Sequence, residues 1–142
     1  MNLSIPLITS GRLFYQKVTS DELRNFAQRY ADAWCSHTPE AVVAFYAKNA
    51  SISVNGGPSA PIAEVARSFM RDFPDMIVTF DKLEPRGDRV EFQWTLIGTY
   101  AQNGNRVRIS GYELWRIDDD GLIAESKGHF DAADYERQLK KK

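Results

Sequence analysis

Two side chains in this sequence pair a reactive group with an otherwise apolar face: the acid Glu113 and the phenol Tyr30. From Arg106 to Ile117, Val107, Ile109, Gly111, Trp115 and Ile117 alternate with Arg106, Arg108, Ser110, Tyr112, Leu114 and Arg116, and Glu113 falls in the apolar row. An acid in such a row has two readings. At the mouth of a sheet it reaches water or an arginine. Lining a dry cavity, it is disfavoured as a carboxylate and becomes a neutral, hydrogen-bond-donating acid. Tyr30 lies on the inner face of a helical pattern, where a buried phenol needs a partner. The remaining groups point elsewhere. His129 alternates with Gly128 and Phe130 and is expected on the outer face, and His37 sits in a turn between helices. Asp118-Asp119-Asp120-Gly121 is a short acidic turn without the spaced ligands of a calcium loop. No phosphate-binding glycine loop and no His/Cys metal spacing occurs, so no metal and no cofactor is expected.

The elements that must hold these residues are readable from periodicity. Thr19-Ser20-Asp21-Glu22 has the pattern of a capping box, a hydroxyl followed three residues later by a glutamate. Leu23, Phe26, Ala27, Tyr30, Ala31, Ala33 and Trp34 then recur at helical spacing. Pro39 opens a second helix through Val42, Val43, Phe45 and Tyr46, expected to end near Asn49. Ser51–Val54 reads as a short strand, and 61–73 as a third helix with Ile62, Val65, Ala66, Phe69, Met70 and Phe73 inside. Four alternating runs follow over 76–131: MIVTFDKL, RVEFQWTLIGTY, RVRISGYELWRI and LIAESKGHFD. Polar turns at 85–88, 101–105 and 118–121 separate them, and a helical turn over 134–140 closes the chain. By parity Phe92, Trp94 and Leu96 share the inner face with Glu113. Three helices before a long meander imply one sheet face covered by helices. Long strands covered on one side curl, which commonly leaves a pocket.

Composition sets the outer limits. The chain has 142 residues, a net charge of -1 and 43% hydrophobic residues, ordinary for one globular domain. Near-neutral charge gives no electrostatic case for nucleic acid or an anionic membrane, and no apolar run approaches the ~18 residues of a span. A single cysteine, Cys35, forms no internal disulfide, so a reducing, cytoplasmic setting is expected. Residues 1–18 lack the pattern of a secretory signal and read as an extended arm preceding one domain over 19–142.

Taken in order, the QRYADAW helix, AFYAKNASISV, FPDMIVTFDKLEPRGDRVEFQWTLIGTY, ELWRIDDDGLIAE, HFD and RQL resemble the nuclear transport factor 2-like superfamily. The likeness is greatest to its SnoaL-like polyketide cyclase and ketosteroid isomerase branch. The resemblance implies an α+β fold: a cone-shaped, curved, mostly antiparallel sheet packed on three N-terminal helices and enclosing a pocket. It also implies that Tyr30, sixteen residues before Tyr46, takes the place of the isomerase tyrosine that donates to an enolate oxygen. Glu113 takes the place of the second donor, a protonated aspartic acid. The isomerase base falls at Val54, the cyclase acid at Gly128, and an epoxide hydrolase Arg/Asp pair at Trp94 and Leu96, so each familiar acid or base of the superfamily is replaced.

Two functional classes remain. One is a binding module holding a small apolar or aromatic molecule among Trp34, Val54, Phe69, Phe73, Trp94, Trp115 and Phe130, with Tyr30 and Glu113 as an oxyanion-type donor pair and the usual catalytic base absent. The other is an isomerase, cyclase or hydratase acting on a polyketide- or steroid-like substrate with an unrecognised base. A homodimer through the outer sheet face, which carries Thr95, Ile97, Tyr112 and Leu114, is the partner expected.

Overall fold

A computed structural model describes residues 20–142. The arm over residues 1–18 and Thr19 of the capping pattern lie outside the described residues. The first helix, α1 (Ser20–Cys35), carries Asp21 and Glu22 in its first turn, where they complement the helix dipole. It buries Ala27, Tyr30, Ala31, Ala33 and Trp34. A turn with His37 in the left-handed region (φ 59°) leads to α2 (Pro39–Val43), with proline at its start. The chain then enters β1 (Tyr46–Val54), makes the two-residue β2 (Ala60–Pro61) and forms α3 (Ile62–Asp72), which buries Ile62, Ala66 and Met70 at four-residue intervals. The meander follows as β3 (Ile77–Arg86), β4 (Arg89–Thr99), β5 (Arg106–Ile117) and β6 (Ile123–Phe130), closed by α4 (Ala132–Lys140). The result is α+β: one six-stranded sheet in the order β2-β1-β6-β5-β4-β3, antiparallel except where β1 runs parallel to β6.

Two boundaries depart from the sequence pattern. Tyr46 is the first residue of β1 rather than part of the second helix, which stops at Val43. The cause is tertiary: Ile123 donates its N–H to the Phe45 carbonyl at 2.9 Å and Tyr46 registers with Ile123, so pairing with β6 overrides a local helical pattern. The terminal helix also starts at Ala132 rather than 134, because the Asp131 carboxylate accepts the Asp134 N–H at 3.0 Å and caps it.

Parity holds along the long strands. Val107, Ile109, Glu113 and Trp115 of β5 are buried, as are Val90, Phe92 and Leu96 of β4. Thr95, although on the outer face, is also buried. Its hydroxyl donates to the Asp81 carboxylate at 2.6 Å and shares a 2.7 Å hydrogen bond with Ser110 Oγ, and Asp81 is delivered there by a bulge in β3 between Phe80 and Lys82.

Val54 pairs with Gly128 across the parallel β1–β6 ladder. Asn55, at φ 52°, extends that ladder by donating to the Gly128 carbonyl and accepting from the Phe130 N–H on its side-chain oxygen.

Candidate functional site

Glu113 stands midway along β5 with 6% of its surface exposed, walled by α1, β1 and β6. Its Oε1 accepts from the Trp115 indole N–H at 2.8 Å, from Ser126 Oγ at 2.8 Å and from Tyr30 Oη at 2.9 Å, with Tyr46 Oη at 3.4 Å. Each donor arrives by a different route. Trp115 is two residues along the same strand and so on the same face. Ser126 is the cross-strand partner of Trp115 on β6. Tyr30 comes from the buried face of α1, and Tyr46 from the first residue of β1. Oε2 has a single contact, with Tyr30 Oη at 3.2 Å. The two phenols lie 2.9 Å apart, so Tyr46 can donate to Tyr30 while Tyr30 donates to the carboxyl.

This crowding decides where a proton can sit. An indole N–H only donates, so Oε1 must accept, and a protonated Glu113 carries its hydrogen on Oε2. Burial pushes the Glu113 carboxyl above the usual glutamate range, opposed by the hydrogen bonds from Trp115, Ser126, Tyr30 and Tyr46. Burial, reinforced by the nearby Glu113 charge, pushes both phenols well above the ordinary tyrosine value, so they remain protonated donors.

In front of Glu113 opens a small apolar cavity of about 60 Å³. Trp34, Val54, Phe69, Trp94 and Phe130 of the sequence-derived set line it, joined by Ile52, Val65, Val78, Phe92, Leu96 and Gly128. Glu113 is the one ionisable side chain in that lining.

Three residues of the expected site stand elsewhere. Tyr30 is wholly buried behind Glu113, with its hydroxyl engaged there rather than facing the cavity. Trp115, also wholly buried, stacks on Phe92 at 4.8 Å and meets Tyr30 edge-on at 5.1 Å. Phe73 lies at the far end of α3 against Tyr100 (5.7 Å) and Tyr135 (6.3 Å), in the core beneath α4. Parity gives the face of a strand or helix but not the depth along it. Ser126 and the role of Tyr46 had no sequence signal beyond their polarity within apolar elements. Among the described residues no group of three or more His, Cys, Asp or Glu is placed to hold a metal ion, and no helix is long and apolar enough to cross a membrane.

The family model of the SnoaL-like domain matches residues 27–126, most of the chain and all of the Glu113 cluster. The chain belongs to the SnoaL-like family. No curated protein sequence matches it. Solved structures of similar fold include TsrD of Streptomyces laurentii, at TM-score 0.74 and 18% identity over 87% of this chain and 98% of that one. IdmH of Streptomyces antibioticus, a suggested polyketide cyclase, aligns at 0.69 and 21% over 82% and 96%. A Catenulispora acidiphila protein with a ketosteroid isomerase-like fold, solved in complex with trimethylamine, aligns at 0.70 and 16% over 80% and 90%. At such identities the likeness is one of fold alone.

Proposed function

We propose that this SnoaL-like chain binds a small, largely apolar organic molecule in the cavity, anchored through one oxygen by Glu113. The observation that carries this is a lone carboxyl, raised in pKa by burial, at the wall of an otherwise apolar cavity. The oxyanion-type pair takes a layered form: neutral Glu113 offers Oε2–H to the ligand, and Tyr30 donates to Glu113 from behind. The cavity lacks the usual base, since Val54 and Gly128 fill the places of the superfamily's acids. β-Naphthol, a flat apolar body with one hydroxyl, is a direct probe. Calorimetry is expected to show binding to the native protein and its loss in Val54→Phe, which fills the cavity, with the melting temperature retained. Unchanged binding in Val54→Phe would place the ligand elsewhere. Carbon NMR of the Glu113 carboxyl should give a midpoint above the ordinary value of about 4.3, and an ordinary midpoint would remove the neutral donor.

A second reading has its own support. A buried acid with a raised pKa and one under-occupied oxygen can exchange a proton with a bound substrate. In that case the chain is an isomerase, cyclase or hydratase of polyketide- or steroid-like molecules, with Glu113 as the acid–base group. Turnover of a supplied substrate abolished in Glu113→Gln, with β-naphthol binding retained, distinguishes catalysis from binding.

We further propose a homodimer through the outer sheet face, in a soluble, cytoplasmic protein of one domain. Ile77, 56% exposed, pairs with the outward Ile97, and half-buried Tyr112 and Leu114 continue that face. Light scattering at micromolar concentration is expected to give twice the chain mass, reduced to one by Ile77→Lys with Ile97→Lys. A monomeric native protein contradicts it.

A further inference from the structure

Glu113 has what a buried carboxylate needs except a positive charge. Its hydrogen-bond partners Trp115, Ser126, Tyr30 and Tyr46 are uncharged donors gathered on Oε1. Oε2 meets Tyr30 alone, at 3.2 Å, and keeps a lone pair for a further donor. A buried carboxylate that lacks a cation takes up a proton instead. The titratable groups facing Glu113 are the phenols of Tyr30 from α1 and Tyr46 from β1, which stay protonated. Trp115 of β5, Ser126 and Gly128 of β6 and Phe92 of β4 add no charge. A cation brought to Oε2 would convert the neutral acid into the anion that its donors already suit.

The other walls suit the same guest. Trp34, Phe69, Phe92, Trp94 and Phe130 line the cavity with Glu113, and no lysine, arginine or histidine is in that lining. Trp34 and Phe69 stand 6.3 Å apart at 80°, and Trp94 and Phe130 repeat the arrangement at 6.1 Å and 66°. Rings set nearly at right angles form a corner whose inner sides are ring faces, and such faces attract a cation. An uncharged aliphatic guest would be served as well by leucine and valine. One free oxygen also fixes the number of N–H groups. A primary ammonium would leave two donors against the apolar wall, and a quaternary one would leave Oε2 without a donor. A tertiary ammonium has one N–H for Oε2 and presents only carbon elsewhere. At ~15 Å³ for each water-sized atom, a cavity of about 60 Å³ matches a nitrogen with its three carbons.

We propose that the cavity takes the tertiary ammonium head of an aliphatic amine, its N–H donated to Glu113 Oε2 and its carbons set against the aromatic walls. This goes beyond the hydroxyl-bearing ligand and rests on the same reading of the cavity as a small-molecule site with Glu113 at its wall. On binding, Glu113 releases its proton to bulk water and the amine keeps its own, so the site holds an ion pair of zero net charge. The pH dependence has a definite sign. Burial holds the Glu113 carboxyl above the ordinary range, and an alkylamine, like lysine, is protonated across that window. Amine affinity therefore rises as pH rises through the folded-state value. A hydroxyl ligand that accepts from the neutral acid weakens over the same window.

The test is calorimetric titration with four compact probes of equal non-hydrogen atom count: dimethylethylamine, tert-butylamine, tetramethylammonium and tert-butanol. Dimethylethylamine should bind native protein at least about tenfold tighter than each of the others, the size of one charge-assisted hydrogen bond. Its affinity should increase with pH, and its heat in buffers of different ionisation enthalpy should report a proton released. Those readouts need no variant. Glu113→Gln should weaken dimethylethylamine at least about tenfold, and Phe69→Leu, which keeps the wall apolar, should weaken it about fivefold more than tert-butanol. Equal affinity for dimethylethylamine and tert-butanol, or an amine affinity that falls as pH rises, would overturn the ammonium assignment and leave the cavity reading standing. So would β-naphthol binding with none of the amines bound. Failure of all these probes and of β-naphthol to bind would overturn both.

Discussion

Replacing Glu113 with alanine is expected to destabilise the protein by roughly 3–5 kcal/mol, while Glu113→Gln costs about 1 kcal/mol or less. Alanine removes the acceptor for Trp115 Nε1, Ser126 Oγ and Tyr30 Oη, all within 2.9 Å of Oε1. The two tyrosines can bond to each other and the serine hydroxyl can rotate, but the indole N–H is left without a partner in a closed space. Glutamine retains an oxygen at the Oε1 position and so keeps every donor occupied. The pair also has a pH signature. Because the folded-state pKa of Glu113 is raised, the folded protein binds more protons than the unfolded chain between the ordinary glutamate value and the folded one. The stability of the neutral acid is therefore complete below the ordinary value and is lost as pH rises through the folded one. Glu113→Gln has no such loss, so its deficit relative to the native protein should shrink over that window. Urea denaturation at a series of pH values measures both effects. A difference between the native protein and the Glu113→Gln variant that stays constant with pH would show that Glu113 titrates as an ordinary carboxyl.

The parts of this arrangement that follow from repetition were legible in the chain. Glu113 stood out because a charge broke an apolar row, and the same row fixed its face. Tyr30 followed from helical spacing, and Val54 was expected in the cavity lining, where it stands. What could not be read was convergence. Ser126 reaches Oε1 only because β5 and β6 pair Trp115 with Ser126, and Tyr46 only because β1 joins β6 in parallel; neither pairing has a local signal. Tyr30 was expected beside Glu113 facing a ligand and instead lies behind it. Phe73 and Trp115 shared the right periodicity but lie beyond the cavity's end or floor. Period tells which side a residue faces, and three-dimensional closure decides what it meets there.

Two inner-face glycines of the sheet, Gly111 and Gly128, should respond to alanine in opposite ways, and the contrast separates the fold from the site. A Cβ at Gly111 would collide with the His129 carbonyl oxygen, sit 2.7 Å from Trp94 Cζ2 and 3.0 Å from Phe130 Cβ. The first obstacle is backbone, so relief requires β5 and β6 to separate, and the second requires the indole to leave its seat. Gly111→Ala is expected to cost about 3 kcal/mol, the upper end of overpacking penalties, with weakened ligand binding as Trp94 moves. At Gly128 the added Cβ would meet Ser53 O at 3.6 Å and Glu113 Cγ at 3.9 Å, ordinary contacts. Removing the backbone freedom of a strand glycine should then leave stability unchanged or raise it by about 0.5 kcal/mol. The new methyl nevertheless stands in the cavity lining beside Glu113, so β-naphthol affinity should fall although the fold does not suffer. Thermal melts and calorimetry on both variants read the two quantities independently. A destabilised Gly128→Ala protein would show that the added methyl is not accommodated there, and one that binds β-naphthol as the native chain does would show that the space before Glu113 is not where the ligand sits.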